Sequence, residues 1–291
     1  MDATSTGHAG AGGRSNSTSW CRPELIGRAI GILYGFGNQV LFLVTVWYLF
    51  WFLRDGSLTP SHGHWIVRDS ALALLFAAGH SVMLVPATRR YLTRWIPTAF
   101  YDSTFCVVTC VSLLTLFIGW RSSETVLWQL DGWKAELIRG GFYFCWVALI
   151  YSLALTGLGY QNGWTPFYHW LRREDPPRRE FKPRGAYKLI RHPVYLSFLG
   201  LVWFTPRMTL DHAALTAIWT GYIFYGSFLK DRRLSRFIGQ PYRDYQAQVP
   251  GFPLIPGGPL GRCGGGRNDH PDAVSKAPAD APTSPVNRKA A

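Results

Sequence analysis

A short polar motif at the start of an apolar stretch could bind a ligand. The motif is Arg191-His192-Pro193-x-Tyr195, and the apolar stretch that it opens ends at Pro206. Proline favours the first turn of a helix and keeps the preceding residue out of the helical region, which predicts Arg191 and His192 in an extended turn. The free N–H groups and the dipole at a helix N-terminus favour an anion. The alternative is that Arg191 reaches lipid phosphate and Tyr195 belongs to an aromatic belt.

A second group of candidate residues lies in the charged run Leu229–Pro250, after the next apolar segment. Asp231 stands there among basic residues, and the run is predicted to continue the preceding helix until Gly239 stops it. Tyr242 and Tyr245 are three residues apart and are predicted on one face of a short second helix. The alternative is an amphipathic segment that lies on anionic lipid.

A single histidine, His80, falls in the middle of an apolar segment. A polar ring at that depth is costly and indicates a functional residue by default. It could instead join helices through a hydrogen bond to Ser112 or Tyr151. Asn38 and Gln39 pose the same choice in the first apolar segment, and there we favour helix packing.

The composition indicates a membrane protein that positions these residues on helices. Apolar residues make up 48% of the 291 residues and charged residues 16%, against about 25% charged residues in an ordinary soluble domain. A helix of about 20 apolar residues crosses the bilayer, and the pattern predicts an all-α integral membrane protein. Four transmembrane helices are expected, followed by a C-terminal helical hairpin, which makes five to six membrane segments. The predicted segments are Ala29–Leu53, Ser70–Thr88, Ser103–Trp120 and Gly140–Tyr160, then Pro193–Pro206 and His212–Leu229.

The chain ends and the charges predict the domain organisation and the topology. Residues 1–28 and 257–291 are rich in small and polar residues, and they are predicted to be a disordered N-terminus and a disordered tail around a membrane domain at 29–256. The N-terminus lacks the layout of a signal peptide. Eight basic residues between Arg172 and Arg191 predict a cytoplasmic loop and both termini in the cytoplasm. The net charge of +13 therefore indicates topology and contact with lipid and not with nucleic acid, and a bacterial inner membrane is the expected location.

The sequence lacks the motifs of several common enzyme classes. The sequence contains no P-loop, no GxSxG and no HExxH, so the corresponding nucleotide, serine hydrolase and zinc sites are not indicated. It also lacks CxxC, and Cys106 and Cys110, one helical turn apart, are expected to pack and not to bind a metal. No metal site is predicted, and the oligomeric state stays open.

The motifs resemble those of the isoprenylcysteine carboxyl methyltransferase family. The resemblance runs from about Ser70 to Pro256 and is most specific from Arg184 onward. Its closest likeness is to the branch of methanethiol S-methyltransferases and nurim-like proteins. The residues that carry it are Arg191-His192-Pro193-x-Tyr195, Phe237-x-Gly239-x-x-Tyr242-x-x-Tyr245, His80-Ser81-x-Met83 and Thr205-Pro206-x-Met208.

The resemblance implies S-adenosylmethionine as the methyl donor, bound within residues 184–256 on the cytoplasmic side. The cofactor-binding residues that it implies are Tyr187, Arg191, His192, Pro193, Tyr195, Asp231, Tyr242 and Tyr245. The catalytic candidates are His80 and Asp231, either of which could take a proton from a thiol acceptor, and Arg191, which could favour the thiolate. The ligand's carboxylate would be held by Arg191 or His192, and its cationic and aromatic parts by tyrosine faces.

The resemblance suggests a small lipophilic thiol such as methanethiol as the acceptor. Carboxyl or other acceptors, and a non-catalytic nurim-like protein, remain as alternatives. The sequence departs from the family at Lys230-Asp231, where members usually carry two glutamates, and at Tyr101-Asp102 before the third span. A lysine at this position would repel a sulfonium, so it either retunes the site or marks its decay.

Overall fold

A computed structural model describes residues 21–57, 65–177 and 180–263, and within them the chain is almost entirely helical. The predicted all-α fold is confirmed. The long helices are α1 (Cys21–Asp55), α2 (Trp65–Met83), α4 (Tyr101–Gly119), α5 (Gly132–Thr156) and α9 (Leu210–Ile238). The shorter ones are α3 (Pro86–Leu92), α6 (Leu158–Gln161), α7 (Trp164–Arg172), α8 (Pro193–Trp203) and α10 (Gln240–Gln248), with 3-10 turns at Thr98–Phe100 and Gly185–Lys188.

Four helices, α1, α2, α4 and α5, are long and apolar enough to cross a membrane. The shortest have 19 residues and rise about 28 Å, close to the hydrocarbon thickness of about 30 Å. Their outer faces leave large apolar side chains exposed, among them Leu33 at 76% and Phe144 at 70%. Exposure on this scale suits contact with lipid tails, and the chain is a membrane protein.

The C-terminal hairpin consists of α8 and α9. The α8 helix has 11 residues and rises only about 17 Å, too little for a full crossing. The α9 helix has 29 residues and continues beyond Leu229 until Gly239, whose φ of 81° favours glycine. The predicted charged continuation and the short second helix are therefore both present.

The apolar core lies between α1, α2, α4, α5, α8 and α9. Leu53, Leu116, Leu201 and Leu215 are each at most 1% exposed, and together with aromatic residues such as Trp120 they form one cluster. The described structure thus packs the hairpin into the bundle and fixes the position of its two ends.

One tight contact sets α7 against α1. A Cβ atom built at Gly35 would lie 2.3 Å from the ring of Phe167, so only glycine leaves room for this buried ring. Asn38 Nδ2 donates to the carbonyl of Asn162 at 2.7 Å, and Asn162 Nδ2 donates to Gln39 Oε1 at 3.0 Å. The packing role favoured for Asn38 and Gln39 is confirmed.

A small antiparallel sheet closes the end of the bundle opposite to Arg191. Its strands are β1 (Val126–Gln129) and β2 (Arg207–Thr209), and the sequence did not predict them because strands of three or four residues are too short to show alternation. Asp211 anchors the adjoining loop, since its carboxylate accepts hydrogen bonds from Trp120 Nε1 at 3.1 Å and from the Ser123 N–H at 2.9 Å.

Two predicted boundaries differ from the structure. Residues 21–28 are helical although disorder was predicted there, and Glu24 in the first turn of α1 favours a helix start. Residues 257–263, also predicted as disordered, pack against the bundle: the Phe252 N–H donates to Leu260 O at 3.1 Å and the Cys263 N–H to Gln246 O at 3.1 Å. The remainder of both predicted tails, residues 1–20 and 264–291, lies outside the described residues.

Candidate active site

The predicted motif sits where the start of α8, the end of α9, α10 and residues 250–263 converge. We call residues 250–263 the C-terminal strap. Pro193 begins α8 as predicted, and His192 stands outside the helical region at φ −123° and ψ 51°. The strap runs beside the motif, because the Arg191 N–H donates to Pro250 O at 2.8 Å and the His192 N–H to Gly251 O at 3.2 Å.

Arg191 is buried and fully engaged by the protein itself. Its Nε and Nη2 donate to Asp231 Oδ2 at 3.1 and 2.9 Å. Its remaining donors reach four backbone carbonyls, those of Gln246, Val249, Pro259 and Gly261, at 2.6–3.1 Å. Since a guanidinium has only five N–H groups, none is left for a ligand, and Arg191 clamps α9, α10 and the strap together.

Asp231 is the buried partner of this clamp. Tyr242 donates its hydroxyl to Asp231 Oδ1 at 2.5 Å, and His192 Nε2 lies 3.2 Å from Oδ2. Burial raises the pKa of Asp231, but His192, the Tyr242 hydroxyl and the Arg191 charge outweigh burial and hold it below its usual value. The carboxylate is therefore ionised at neutral pH and already paired.

His192 is a buried residue of this cluster that still has hydrogen-bonding capacity. Its ring stacks on Tyr195 with centroids 5.5 Å apart and packs against Phe252 at 5.4 Å. Neither ring nitrogen has an aligned hydrogen-bond partner within the described residues, because the contact to Asp231 is close but poorly directed. Burial lowers the pKa of His192 despite the nearby carboxylate, so the ring is neutral at pH 7. An unsatisfied buried imidazole of this kind is costly unless a ligand completes it.

Aromatic rings and an open pocket surround the clamp. Phe181 lies 5.4 Å from Tyr242 and 5.5 Å from Tyr245, measured between ring centroids. The Tyr245 hydroxyl donates to the carbonyl of Tyr187, and burial raises the pKa of the Tyr187 hydroxyl to about 12. A pocket of about 370 Å³ opens where Asp231 and the C-terminal strap meet, lined by Phe228, Asp231, Ser235, Gln246, Pro259 and Cys263.

Lys230 precedes Asp231 on α9 and contacts Tyr195. Its ammonium lies 5.0 Å from the centroid of the Tyr195 ring, within the range of a cation–π interaction. The aromatic face that the resemblance assigned to a sulfonium therefore already faces a positive charge of the protein.

His80 is the one predicted site residue that the fold keeps apart from this cluster. Its Nδ1 lies 3.4 Å from Thr109 Oγ1 on α4. The hydrogen-bonding partners predicted for it were wrong: the Ser112 hydroxyl donates to carbonyls within α4, and Tyr151 is 50% exposed on α5. The rotation of α4 about its axis, which sequence spacing does not specify, decides this.

Other residues of the site escaped the sequence reasoning. Gln246, Pro259 and Gly261 contribute through backbone carbonyls, which carry no residue-type signal. Phe252 carried a weak signal as a lone aromatic residue between prolines in the tail.

Comparison with known proteins connects this geometry to named relatives. The chain is 30% identical over 233 residues to a methanethiol S-methyltransferase of a Pseudomonas species, covering 77% of this chain and 89% of that protein. It is 30% identical over 246 residues to methanethiol S-methyltransferase 1 of Bradyrhizobium diazoefficiens, covering 78% and 84%. A nurim homolog of Drosophila melanogaster is 22% identical over 209 residues, covering 66% and 81%.

No family model matches the chain, and no solved structure matches it. The two bacterial relatives are matched over most of their length, and the matched length is too great to be confined to the motif region. This chain belongs to the methanethiol S-methyltransferase family of membrane methyltransferases, to which the nurims are more distantly related.

Proposed function

We propose that this protein uses S-adenosylmethionine to methylate a small thiol such as methanethiol, at the end of the bundle where α8 begins. The observation that carries the proposal is the buried imidazole of His192, stacked on Tyr195 with both ring nitrogens unsatisfied within the described residues. Such a group needs a polar ligand, and the relatives at 30% identity are named methanethiol S-methyltransferases.

The residues present fit S-adenosylmethionine. His192 can bond to its hydroxyl or carboxylate oxygens, and the Tyr242 and Tyr245 faces beside Phe181 suit an adenine ring. The pocket of about 370 Å³ falls within the usual size of a ligand site, about 300–1,000 Å³. When bound, this cofactor supplies an electrophilic methyl group on a sulfonium.

The roles expected for Arg191 and Asp231 change in this proposal. Arg191 is a positioning residue, since all its donors hold the protein together. Asp231 borders the pocket and keeps Oδ1 partly available beside the Tyr242 hydroxyl, so it can still accept a hydrogen bond from a ligand hydroxyl or ammonium. Neither residue suits the transfer of a proton, because the ion pair would lose its charge balance inside the protein.

The protein's own residues have two tasks in methyl transfer. They must align the acceptor sulfur with the methyl group and exclude water, which the aromatic residues around His192 favour. They must also favour the thiolate, since only a few per cent of a free thiol is ionised at neutral pH. The Lys230 ammonium lies beside Tyr195, and a cation there lowers the pKa of a nearby thiol.

The site is proposed to face the cytoplasm. Arg89, Arg90 and Arg94 follow α2 at the same end as Arg191, since Arg233 of α9 donates to Leu84 O at 3.3 Å. Basic connections of this kind stay on the cytoplasmic side, which supports cytoplasmic termini and a bacterial inner membrane. Reporter fusions after Arg173 and after Cys263 should both give cytoplasmic signals, and an external signal from either would overturn this orientation.

A second candidate function is a non-catalytic nurim-like protein. Lys230 favours this candidate, because its ammonium lies over the Tyr195 ring at a position where the family usually has an acidic residue. The positive charge of Lys230 would repel a sulfonium there.

The test uses the full chain in lipid nanodiscs. Binding of labelled S-adenosylmethionine is measured at equilibrium, and dimethyl sulfide is measured in the headspace after methanethiol is added. We expect binding, product formation, and loss of both in His192→Ala, with His169→Ala, a histidine on α7 away from the site, as the matched control. Absence of cofactor binding by the wild-type protein refutes the proposal, and binding without product from any thiol favours the second candidate.

A further inference from the structure

A second polar cluster lies inside the bundle and is not part of the site at Arg191. His80 and Ser81 of α2 face Thr109 of α4 and Tyr222 of α9. The Ser81 and Tyr222 hydroxyls lie 3.1 Å apart, and His80 Nδ1 lies 3.4 Å from Thr109 Oγ1. Polar groups at this depth either join helices or form a functional site.

The hydrogen bonds assign the protonation of His80. The Thr109 hydroxyl donates its hydrogen to the carbonyl of Phe105 at 2.9 Å, so its oxygen can only accept from His80. His80 Nδ1 therefore carries the hydrogen, and Nε2 carries a lone pair. Nε2 makes no hydrogen bond to any part of the chain that the structure describes. Helix packing alone accounts for Nδ1 but leaves this acceptor unused.

Three aromatic rings lie around His80, and we call this cluster of four side chains the chamber. The ring centroids of Phe105, Phe76 and Tyr222 lie 5.0, 5.7 and 6.4 Å from that of His80. Three rings around one hydrogen-bond acceptor suit a small apolar molecule with a single weak donor.

An apolar groove adjoins this chamber. It has a volume of about 380 Å³, lies between α2 and α4, and is lined by Leu72, Phe76, Val107 and Val111 among others. Phe76 belongs both to the groove and to the aromatic residues around His80. Phe76 is therefore the side chain through which a neutral molecule in the groove would approach His80.

We propose that this chamber binds the acceptor as a neutral thiol, whose S–H donates a hydrogen bond to His80 Nε2. The inference rests on the proposed function for the choice of a thiol. A neutral thiol suits the groove, because an ionised one would not enter lipid. Tyr222 and Lys230 both lie on α9. They are eight residues apart, about 12 Å along a helix, so α9 connects the chamber with the site at Arg191.

The first experiment measures binding without cofactor. Methanethiol labelled with ¹³C is added to the full chain in nanodiscs, and the shift of its methyl signal on binding is followed by NMR. We expect a saturable shift from the ring currents of the chamber, lost in His80→Leu and kept in His169→Leu. An unchanged shift in a folded His80→Leu variant overturns the proposal.

A second variant covers the case in which His80→Leu does not fold. Phe76→Trp enlarges the side chain between groove and chamber, and Phe144→Trp is the matched control, because Phe144 is 70% exposed on the lipid face of α5. We expect Phe76→Trp to raise KM for methanethiol at least tenfold with unchanged affinity for S-adenosylmethionine. An equal KM in the two variants overturns the proposal.

The two proposals fail separately. If the wild-type protein forms no product from any thiol, the proposed function fails, while the NMR shift still decides whether the chamber binds a thiol. If the wild-type protein forms dimethyl sulfide but neither variant alters thiol binding or KM, the chamber is refuted and the proposed function stands.

Discussion

Replacement of Arg191 by lysine tests whether this residue holds the protein together or binds the cofactor. The guanidinium donates six hydrogen bonds within the protein, whereas an ammonium has three donors on a shorter reach. Lysine keeps the charge that pairs with Asp231, but at least three of the six hydrogen bonds are lost. At about 1 kcal/mol for each buried bond, the free energy of unfolding should fall by about 3 kcal/mol.

The predicted decrease in the free energy of unfolding can be measured as a lower melting temperature in detergent or nanodiscs. For a chain of this size, about 3 kcal/mol corresponds to a decrease of roughly 6–12 °C. The C-terminal strap should also become sensitive to protease, because two of its carbonyls lose their donors. Arg184→Lys, on an exposed residue of the preceding loop, is the control and should change neither property.

The affinity for S-adenosylmethionine decides between the two roles. A clamp predicts that affinity falls only as far as stability falls and partly recovers at low temperature. The double variant Arg191→Met/Asp231→Leu should be more stable than Arg191→Met alone, since breaking one side of a buried ion pair costs about 3–5 kcal/mol. An Arg191→Lys variant with unchanged melting temperature and no cofactor binding would falsify the reasoning, because it would mean that Arg191 contacts the cofactor.

Three further predictions address the charge, the histidine and the helix packing. Lys230→Glu should abolish methylation of methanethiol in the headspace assay without lowering the melting temperature, whereas a gain of product would identify a decayed site and support the non-catalytic alternative. The pKa of His192 is lowered by burial, with Arg191 and Lys230 as smaller causes, so its neutral form stabilises the fold above its unfolded pKa of about 6.5. The melting temperature should therefore fall as the pH is lowered through this value, with a shallower slope in His192→Gln; equal slopes would contradict the assignment. Gly35→Ala should destabilise the protein by about 1–3 kcal/mol through overpacking. Gly37→Ala, whose Cβ would meet no atom within 4 Å, should leave the stability unchanged. Equal effects of the two substitutions on thermal unfolding would refute the packing of α7 on α1.

Features that depend on a short stretch of sequence were predicted best. The four spans were predicted from runs of apolar residues, and α1, α2, α4 and α5 confirm them with ends shifted by several residues. All four helices begin before the predicted apolar run, because their backbone hydrogen bonds continue into flanking polar residues. The α2 and α5 helices end before it, ahead of Pro86 and at Gly157 with its positive φ. Pro193 and Gly239 mark a helix start and a helix stop by their own backbone preferences, so these positions were predicted correctly.

The clustering of Arg191, His192, Asp231 and Tyr242 was also anticipated, but only through the resemblance to a family. Nothing in the separation of 40 residues between Arg191 and Asp231 indicates a contact. The resemblance led us to expect ligand-binding roles for both, and the described contacts instead show an ion pair closed by backbone carbonyls.

The sequence by itself determined the helical membrane fold, the short hairpin and the local turn that places His192 before α8, because each depends on apolar content or backbone preference within a few residues. Only the tertiary structure decided that Arg191 donates hydrogen bonds to the carbonyls of Gln246, Pro259 and Gly261. Every residue carries the same backbone carbonyl, and only the fold brings these three to Arg191. It also decided that His80 faces Thr109 and not Ser112, because both lie on α4 and the choice depends on how two packed helices are rotated against each other.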